Sequence, residues 1–183
     1  MCSASTSTGC GRPWNTTIEP RPCIPGRPLM FRRRPIRRTR SGRYSVALGA
    51  DERNLLRVLP EQLRTIMANT DDPGLRRLFP PAYSSPEHQE HQDEFRRLMT
   101  EDLLARHREA LDVLEATAGA EELTAEELDG WMRSLNSLRL VLGTRLDVTE
   151  DDDPADHLTD EHALYYFLGY LQECVVAALS GED

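Results

Sequence analysis

The sequence predicts a mainly α-helical protein, a small helical bundle with a short N-terminal β-hairpin. After Asp51, leucine-rich stripes recur at spacings of three and four residues, which is the pattern of helices that bury one face. Thr124 and Glu127 are spaced as the capping box of one such helix. Before these segments, residues 44–48 alternate between large apolar and small side chains, at the two-residue period of a strand. We expect the helical stripes to pack against one another in a single core.

The segment from Phe31 to Leu48 is typical of two short extended arms joined by a Ser-Gly turn. Pro35 has no N–H to donate, so the first arm fits only an edge position of a sheet. We therefore expect a two-stranded hairpin here.

The first helix is expected to begin at Asp51, with apolar positions four, four and three residues apart, namely Leu55, Leu59, Leu63 and Ile66. Pro60 removes one backbone hydrogen bond and clashes with the preceding turn, so this helix is expected to kink or split there. A short helix is expected from Asp71 to Leu78, because an Asp-Asp-Pro start precedes it and two prolines follow it.

Three longer helices complete the predicted bundle. One runs from Glu87 to Ala118 with a restart at Thr100, where a threonine followed by two acids matches an N-cap. The next begins after Thr124 and ends at Gly143. The last runs from about Asp160, and its apolar stripe consists of Leu164, Leu168, Leu171, Val175 and Ala178.

Charge is divided sharply along the chain. Its 183 residues carry 31 acids and 22 basic residues, every one of them arginine, for a net charge of -9. Residues 1–43 carry a net +9 and residues 44–183 a net -18. We interpret residues 1–29, rich in Pro, Gly, Ser and Thr, as a disordered leader, residues 30–43 as an arginine-rich arm and residues 44–183 as an acidic helical domain. Translation from Met30 stays open as an alternative and would remove the leader.

The arm holds seven arginines and no acid, enough to make several phosphate contacts. These are the candidates for contact with nucleic acid or an acidic partner: Arg32, Arg33, Arg34, Arg37, Arg38, Arg40 and Arg43. Two other interpretations stay open, a solubilising edge strand and an arm that folds back on its own acidic domain, because opposite charges on one chain attract at low salt.

None of the four cysteines forms a CxxC pair, so their spacing fits neither a zinc site nor a secreted disulfide framework. Cys2, Cys10 and Cys23 are redox candidates, because thiols in an arginine-flanked leader would be exposed and their thiolates favoured. The alternative is that they are incidental. Cys174 lies on the apolar stripe of the last helix, so we predict that its thiol is buried and inert.

The sequence predicts neither a metal site nor a catalytic motif. His88 and His91 form only an HxxH pair, and the acidic loop between Asp147 and Asp160 lacks the glycine and glutamate of a calcium loop. The phosphate-binding and nucleophile motifs of common enzymes are absent from the sequence. We therefore expect a protein that is not an enzyme and has no cofactor.

No apolar stretch typical of a signal peptide occurs near the N-terminus. The most apolar segment, Ala163 to Leu179, is interrupted by Gln172 and Glu173 and is short for a bilayer, which needs about 20 residues. We expect a cytoplasmic protein without a membrane partner.

Six segments carry a family likeness, namely FRRRP at Phe31, RYSVAL at Arg43, DERNLLRVLPEQL at Asp51, DPGLRRLFPPAY at Asp72, LNSLRLVLGTRLDVTEDDD at Leu135 and EHALYYFLGYLQECVVAAL at Glu161. Together they span about Met30 to Leu179. The chain thereby resembles an uncharacterised actinobacterial regulator family that includes the actinomycete oxidative stress regulator, AosR.

The resemblance implies a cytoplasmic, transcription-associated regulator that, in at least one member, responds to oxidants through a cysteine pair and acts with a sigma factor. It also implies gene neighbours related to the adaptor of the Clp protease, and it provides no catalytic residues. The only close cysteine pair here, Cys2 and Cys10, lies upstream of the matching region.

From the residues and the resemblance together we expect a transcription-associated regulator that acts through protein partners such as a sigma factor or RNA polymerase. DNA contact through the arginine arm is a further expectation. The alternative is a protein-quality-control adaptor or partner near the Clp protease system.

Overall fold

The computed structural model describes residues 34–69, 71–79, 89–149 and 159–181, and within the third range it describes side chains from residue 101 onward. Residues Arg32–Asp183 belong to one compact unit. Its elements are β1 (Ile36–Arg38), β2 (Tyr44–Val46), α1 (Ala50–Met67), a 3-10 turn (Pro73–Leu75), α2 (Gln89–Thr117), β3 (Glu122–Leu123), α3 (Ala125–Arg145) and α4 (Asp160–Ser180). The predicted fold class, mainly α with a short N-terminal hairpin, is confirmed.

The hairpin is part of a three-stranded sheet. β1 and β2 pair antiparallel with Ile36 opposite Val46, and Gly42 turns the chain between them with a φ of 83°, which glycine adopts without strain. β3 pairs with the other side of β2. The sequence analysis missed β3 because two residues are too few to show a strand period. β1 is the edge strand, as the neighbouring Pro35 requires.

Arg53 on α1 fixes this sheet against the helices. Its guanidinium donates hydrogen bonds to the carbonyl oxygens of Val46 and Leu48, at 2.8 and 3.1 Å, where the chain leaves β2. It also donates to the carbonyl oxygens of Ala118 and Ala120, at 3.1 and 2.6 Å, between α2 and β3. Arginine presents five N–H donors in a planar fork, so one side chain joins three segments of backbone.

α1 is one unbroken helix, so the predicted split at Pro60 does not occur. Pro60 is buried together with Leu56, Leu59 and Leu63. Burying a leucine contributes about 2 kcal/mol, so this face outweighs the hydrogen bond that proline removes. Leu56 occupies the core position expected for Leu55, which is half-buried.

Two further boundaries differ from those expected. The short helix predicted from Asp71 to Leu78 is a 3-10 turn of three residues, and α2 continues through Thr100 without the predicted restart. Threonine costs at most about 0.7 kcal/mol inside a helix, so a Thr-Glu-Asp sequence is compatible with a helix interior as well as with an N-cap. The predicted restart was wrong because this local signal does not distinguish the two positions.

α3 is the central helix and packs against α2, α4, α1 and the 3-10 turn. The predicted capping box is confirmed, since Glu127 N–H donates to Thr124 Oγ1 at 3.2 Å and Thr124 N–H donates to Glu127 Oε2 at 2.7 Å. Trp131 is fully buried, and its Nε1–H donates to Thr117 Oγ1 at 2.7 Å. Satisfying the indole N–H in this way lets the ring lie in the core between α2 and α3.

The prediction that α3 ends at Gly143 is wrong, because the helix continues to Arg145. Gly143 is a close-packing position, where an added Cβ would lie 2.8 Å from Tyr165 Cε2 on α4. Gly130 has the same role toward α2, with Val113 Cγ1 at 2.8 Å from an added Cβ. These glycines lower helix propensity, and they are retained here where two helices approach closely.

The predicted stripe of α4 is confirmed, since its members are buried: Leu164, Leu168, Leu171, Val175 and Ala178. By length and composition alone, α4 is also the one described helix that could cross a membrane, with a mean hydropathy of 1.2. It packs against α3 and β1. This arrangement is compatible with a soluble protein.

His107 on α2 forms a partly buried polar contact with Ser137 on α3. Ser137 donates its hydroxyl hydrogen to the carbonyl of Arg133 at 2.9 Å, so its oxygen accepts from His107 Nδ1–H, also at 2.9 Å. His107 Nε2 is buried, has no hydrogen-bond partner, and belongs to a ring that meets Phe79 edge-on at 5.7 Å. A second proton on Nε2 would have no hydrogen-bond acceptor, and the charged ring would be poorly solvated. Burial accordingly lowers the pKa of His107.

We predict that Arg53→Ala lowers the free energy of unfolding by about 2–4 kcal/mol, because four carbonyl oxygens lose a charged donor. Arg53→Lys should fall between Arg53→Ala and the unsubstituted chain, since an ammonium has only three donors. Urea denaturation followed by circular dichroism measures both. Arg108→Ala, at an exposed position on α2, is the control and should leave the midpoint nearly unchanged. A comparable loss in the control would contradict the role assigned to Arg53.

We predict that the free energy of unfolding falls as the pH drops below about 6.5, the ordinary pKa of histidine. The pKa of His107 is lower in the folded state. Between the two pKa values the unfolded chain therefore binds a proton that the folded chain does not bind. His107→Gln should reduce the loss measured by urea titrations between about pH 7.5 and pH 5.5. Equal pH dependence in the two chains would exclude His107 as the responsible group.

Candidate functional site

The arginines singled out in the sequence occupy the N-terminal edge of the folded body. Arg37 and Arg38 lie on β1, Arg40 lies in the turn, and Arg34 and Arg43 flank the two strands. The backbone of β1 pairs with β2 and packs against α4, so these arginines are held on the fold. Arg32, Arg33 and the redox candidates Cys2, Cys10 and Cys23 lie outside the described residues.

The hairpin arginines differ in their partners. Arg43 Nε lies 3.3 Å from Glu122 Oε2 on β3, an exposed ion pair. Arg37 and Arg40 are exposed and make no ion pair with any residue in the described part of the chain. Because exposed ion pairs contribute little to stability, the more informative feature is the pair of guanidinium groups left available to a partner.

Arg34 borders a hollow of about 350 Å³ between α3 and α4, which we call the arginine hollow. Its lining includes Arg34, Arg139, Gly169, Gln172, Glu173 and Val176. The volume lies within the range of small-ligand pockets. Two arginines face one glutamate here, so the hollow is cationic although the domain around it is strongly acidic.

Arg139 of α3 packs against α4 without an acidic partner among the described residues. Its Cζ lies 5.2 Å from the centroid of the Tyr165 ring, a cation–π contact. A Cβ added to Gly169 would lie 3.5 Å from Arg139 Nε, so the guanidinium rests across the α4 backbone where a larger side chain would stand. No described acid forms an ion pair with Arg139.

Gln172 on α4 brings an unsatisfied polar atom to the same hollow. Its Nε2–H donates to Asn136 Oδ1 across a long 3.5 Å, whereas its Oε1 is buried and has no hydrogen-bond partner. Buried amide oxygens nearly always have a partner, so this acceptor is an exception. The hollow thus combines two cationic donors with one unused acceptor.

Cys174 confirms the prediction of a buried thiol, being 4% exposed. Burial raises its pKa, and a hydrogen bond with Tyr170 and the positive charge of Arg34 offset only part of this effect. A thiol with a raised pKa carries little thiolate at neutral pH, and thiolate is the reactive form. The residue is therefore part of the core beneath the arginine hollow.

The sequence analysis missed Arg139, Gly169 and Gln172 as site residues. The available signals were an arginine inside the apolar run LRLVLG and a glycine inside the apolar helix α4. Gln172 was noted only as an interruption of that apolar run. Which of these residues meet depends on the packing of α3 on α4, which no local pattern specifies.

No group of three potential metal ligands, counted among His, Cys, Asp and Glu, comes together within the described residues. His88 and most of the acidic loop after Asp147 lie outside those residues.

We predict that Cys174 stays unmodified when the native chain is treated with iodoacetamide at neutral pH, because its thiol is buried and its pKa is raised. Denaturant should expose the thiol and allow complete labelling. Mass spectrometry of the peptide that contains Cys174 measures the labelled fraction in each state. Labelling of the native chain as fast as that of the denatured chain would contradict the burial.

A family model described as "Domain of unknown function (DUF2017)" matches residues 33–179. Over 129 residues the chain is 32% identical to "Putative oxidative stress regulator AosR" of Mycobacterium leprae (strain TN), an alignment that covers 60% of this chain and 59% of the relative. The chain thus spans about three fifths of the length of that curated relative. No solved structure matches it. Since the family model covers β1, β2, α1, α2, β3, α3 and nearly all of α4, the chain belongs to the DUF2017 family, an uncharacterised actinobacterial family that includes AosR.

Proposed function

We propose that this protein is a cytoplasmic, transcription-associated regulator, without catalytic activity, that acts by binding a protein partner such as a sigma factor or RNA polymerase. In this proposal the acidic helical body holds the partner. The hairpin arginines contact DNA or an acidic surface that the partner presents.

The regulatory part of the proposal is supported by the relative from Mycobacterium leprae, whose name is that of an oxidative stress regulator. The identity of 32% extends over 129 residues, which is long enough to include much of the helical body. A shared body favours a shared mode of action, namely regulation through binding.

The observation that carries the proposal is the exposure of Arg37 and Arg40 on a folded strand and turn. Ile36, on the opposite face of β1, is fully buried and anchors the strand on the body. A guanidinium presented by an ordered backbone loses less conformational entropy on binding than one on a flexible arm. These arginines therefore suit a recognition surface better than a purely solubilising one.

Charge favours a protein partner over DNA binding by this chain alone. Residues 44–183 carry a net -18, which repels a phosphate backbone, and the hairpin offers only a few cations to overcome it. A partner that already binds DNA would remove this difficulty. The arginines could then contact nearby phosphates or an acidic surface of the partner.

The cysteines proposed to respond to oxidants are Cys2, Cys10 and Cys23, which lie outside the described residues. Cys174 does not fit that role, because its buried thiol has a raised pKa. We therefore assign any sensing of oxidants to the N-terminal cysteines.

We predict that the tagged full-length chain retains a sigma factor or RNA polymerase from an actinobacterial lysate, as measured by quantitative mass spectrometry. Replacing Arg37 and Arg40 together by glutamine should lower this recovery roughly fivefold, since exposed charge contacts contribute about 0.2–1 kcal/mol each. Arg108→Gln removes the same kind of charge from an exposed position on α2 and is the matched control.

Three other results would argue against the proposal in different ways. Recovery of a Clp chaperone or protease component in place of the transcription proteins would favour the quality-control alternative. Equal loss in the Arg108→Gln control would show that only net charge matters. Absence of both transcription proteins and of a salt-dependent DNA mobility shift would overturn the proposal.

Point substitutions are preferred to removal of residues 1–43, because truncation would delete Ile36 from the core.

A further inference from the structure

We propose that the arginine hollow is a docking site for an acidic segment of a partner protein, with one carboxylate bound at Arg139, in the cationic lining to which Arg34 also belongs, and an apolar neighbour against Val176. This inference rests on the proposed function, in that the chain acts by binding a protein. It assigns the binding to a particular place and a particular chemistry.

The charge of the hollow matches one carboxylate. Two arginines and Glu173 leave the lining with a net charge of about +1 at neutral pH. A phosphate monoester carries about -1.5 to -2, which is more negative charge than the lining balances. A single Asp or Glu side chain supplies the one negative charge that the lining lacks.

Arg139 is already arranged to receive that carboxylate. Tyr165 and the Gly169 backbone hold its guanidinium, and no described acid pairs with it, so binding breaks no ion pair. A guanidinium donates two parallel N–H bonds to a carboxylate, which is a charge-assisted and directional contact. The cation–π contact restrains the side chain, so less rotamer freedom is lost on binding than for an arginine without such a contact.

Gln172 adds a side-chain amide to the lining of the hollow. Its Nε2–H makes one long contact with Asn136 Oδ1, and its Oε1 is buried without a donor. Rotation of this amide would present Oε1 to a docked backbone N–H, which each non-proline residue of a peptide offers. A DNA backbone phosphodiester has no hydrogen-bond donor, so this contact favours a peptide.

Val176 supplies an apolar wall next to these polar groups. Its side chain is 45% exposed, which makes it one of the three large apolar residues most exposed among those described. Covering it with an apolar side chain removes that surface from water. The segment that fits is thus an acidic residue adjacent to a leucine-like residue.

The test is a titration of the full-length chain with acetyl-Leu-Glu-Leu-amide, followed by NMR of the arginine Nε–H and glutamine side-chain amide signals. We expect saturable shifts of the Arg139 and Gln172 signals. The neutral analogue acetyl-Leu-Gln-Leu-amide should bind about tenfold more weakly, which is the size expected for loss of a charge-assisted contact. Equal binding of the two peptides, or no shift with either, would overturn the inference.

Variants locate the site. Arg139→Gln should reduce binding about tenfold, and Arg139→Lys should give an intermediate loss because lysine keeps the charge without the planar fork. Val176→Asp changes an exposed position, so it should preserve the fold while placing a like charge against the peptide. Arg108→Gln is the control and should bind normally. Unchanged binding in all three hollow variants would place the peptide elsewhere.

Two competitors decide between sources of negative charge. A labelled form of acetyl-Leu-Glu-Leu-amide is bound first, and competitors are then added. Inorganic phosphate and a short DNA duplex should each displace it only at much higher concentration than the unlabelled peptide does. Displacement at equal concentration would make the hollow a general anion site and would overturn the inference. The titration uses no cellular partner, so failure of the pull-down leaves it unaffected. Success of the pull-down with failed titration would refute only the hollow as docking site.

Discussion

One side chain, Arg53, links the N-terminal sheet to the helices. Its four hydrogen bonds to backbone carbonyl oxygens join the end of β2, the start of α1 and the connection between α2 and β3. No other side chain among the described residues forms hydrogen bonds to so many segments of the chain. The sheet is too small to be stable by itself, since its strands have only two or three residues. Because Arg53 holds it against the helices, Arg34 lies beside α4 and the exposed arginines occupy a defined surface.

The helices pack closely against one another at small residues. Gly130 brings α3 against Val113 of α2, and Gly143 brings it against Tyr165 of α4. The same Tyr165 then supports the guanidinium of Arg139 at the arginine hollow. A packing contact in the core and the geometry of a candidate binding site therefore share one aromatic ring, so a substitution at Gly143 would reach the hollow as well as the core.

The parts of the structure that sequence predicted are those with a local physical cause. Periodic leucines indicated the helices, the Thr124 capping box gave the start of α3, and the stripe around Cys174 gave its burial. Errors arose where distant contacts outweigh local preferences, as with Pro60 lying within α1 and Gly143 lying within α3. The arginine hollow could not be predicted, because it combines residues before β1, in the middle of α3 and near the end of α4. Apart from Arg34, which belongs to the predicted arginine-rich arm, its chemistry is visible in the sequence only as exceptions to apolar patterns.

Neighbouring residues on β1 have different roles, one in the core and one at the surface. Ile36 points into the core and is fully buried, whereas Arg37 is exposed and makes no ion pair within the described residues. A change at Ile36 would alter folding, and a change at Arg37 would alter only what the surface recognises. In evolutionary terms, partner preference can drift at the exposed positions of this strand while the scaffold stays intact. Related chains could thus share one fold and differ in the partners they regulate.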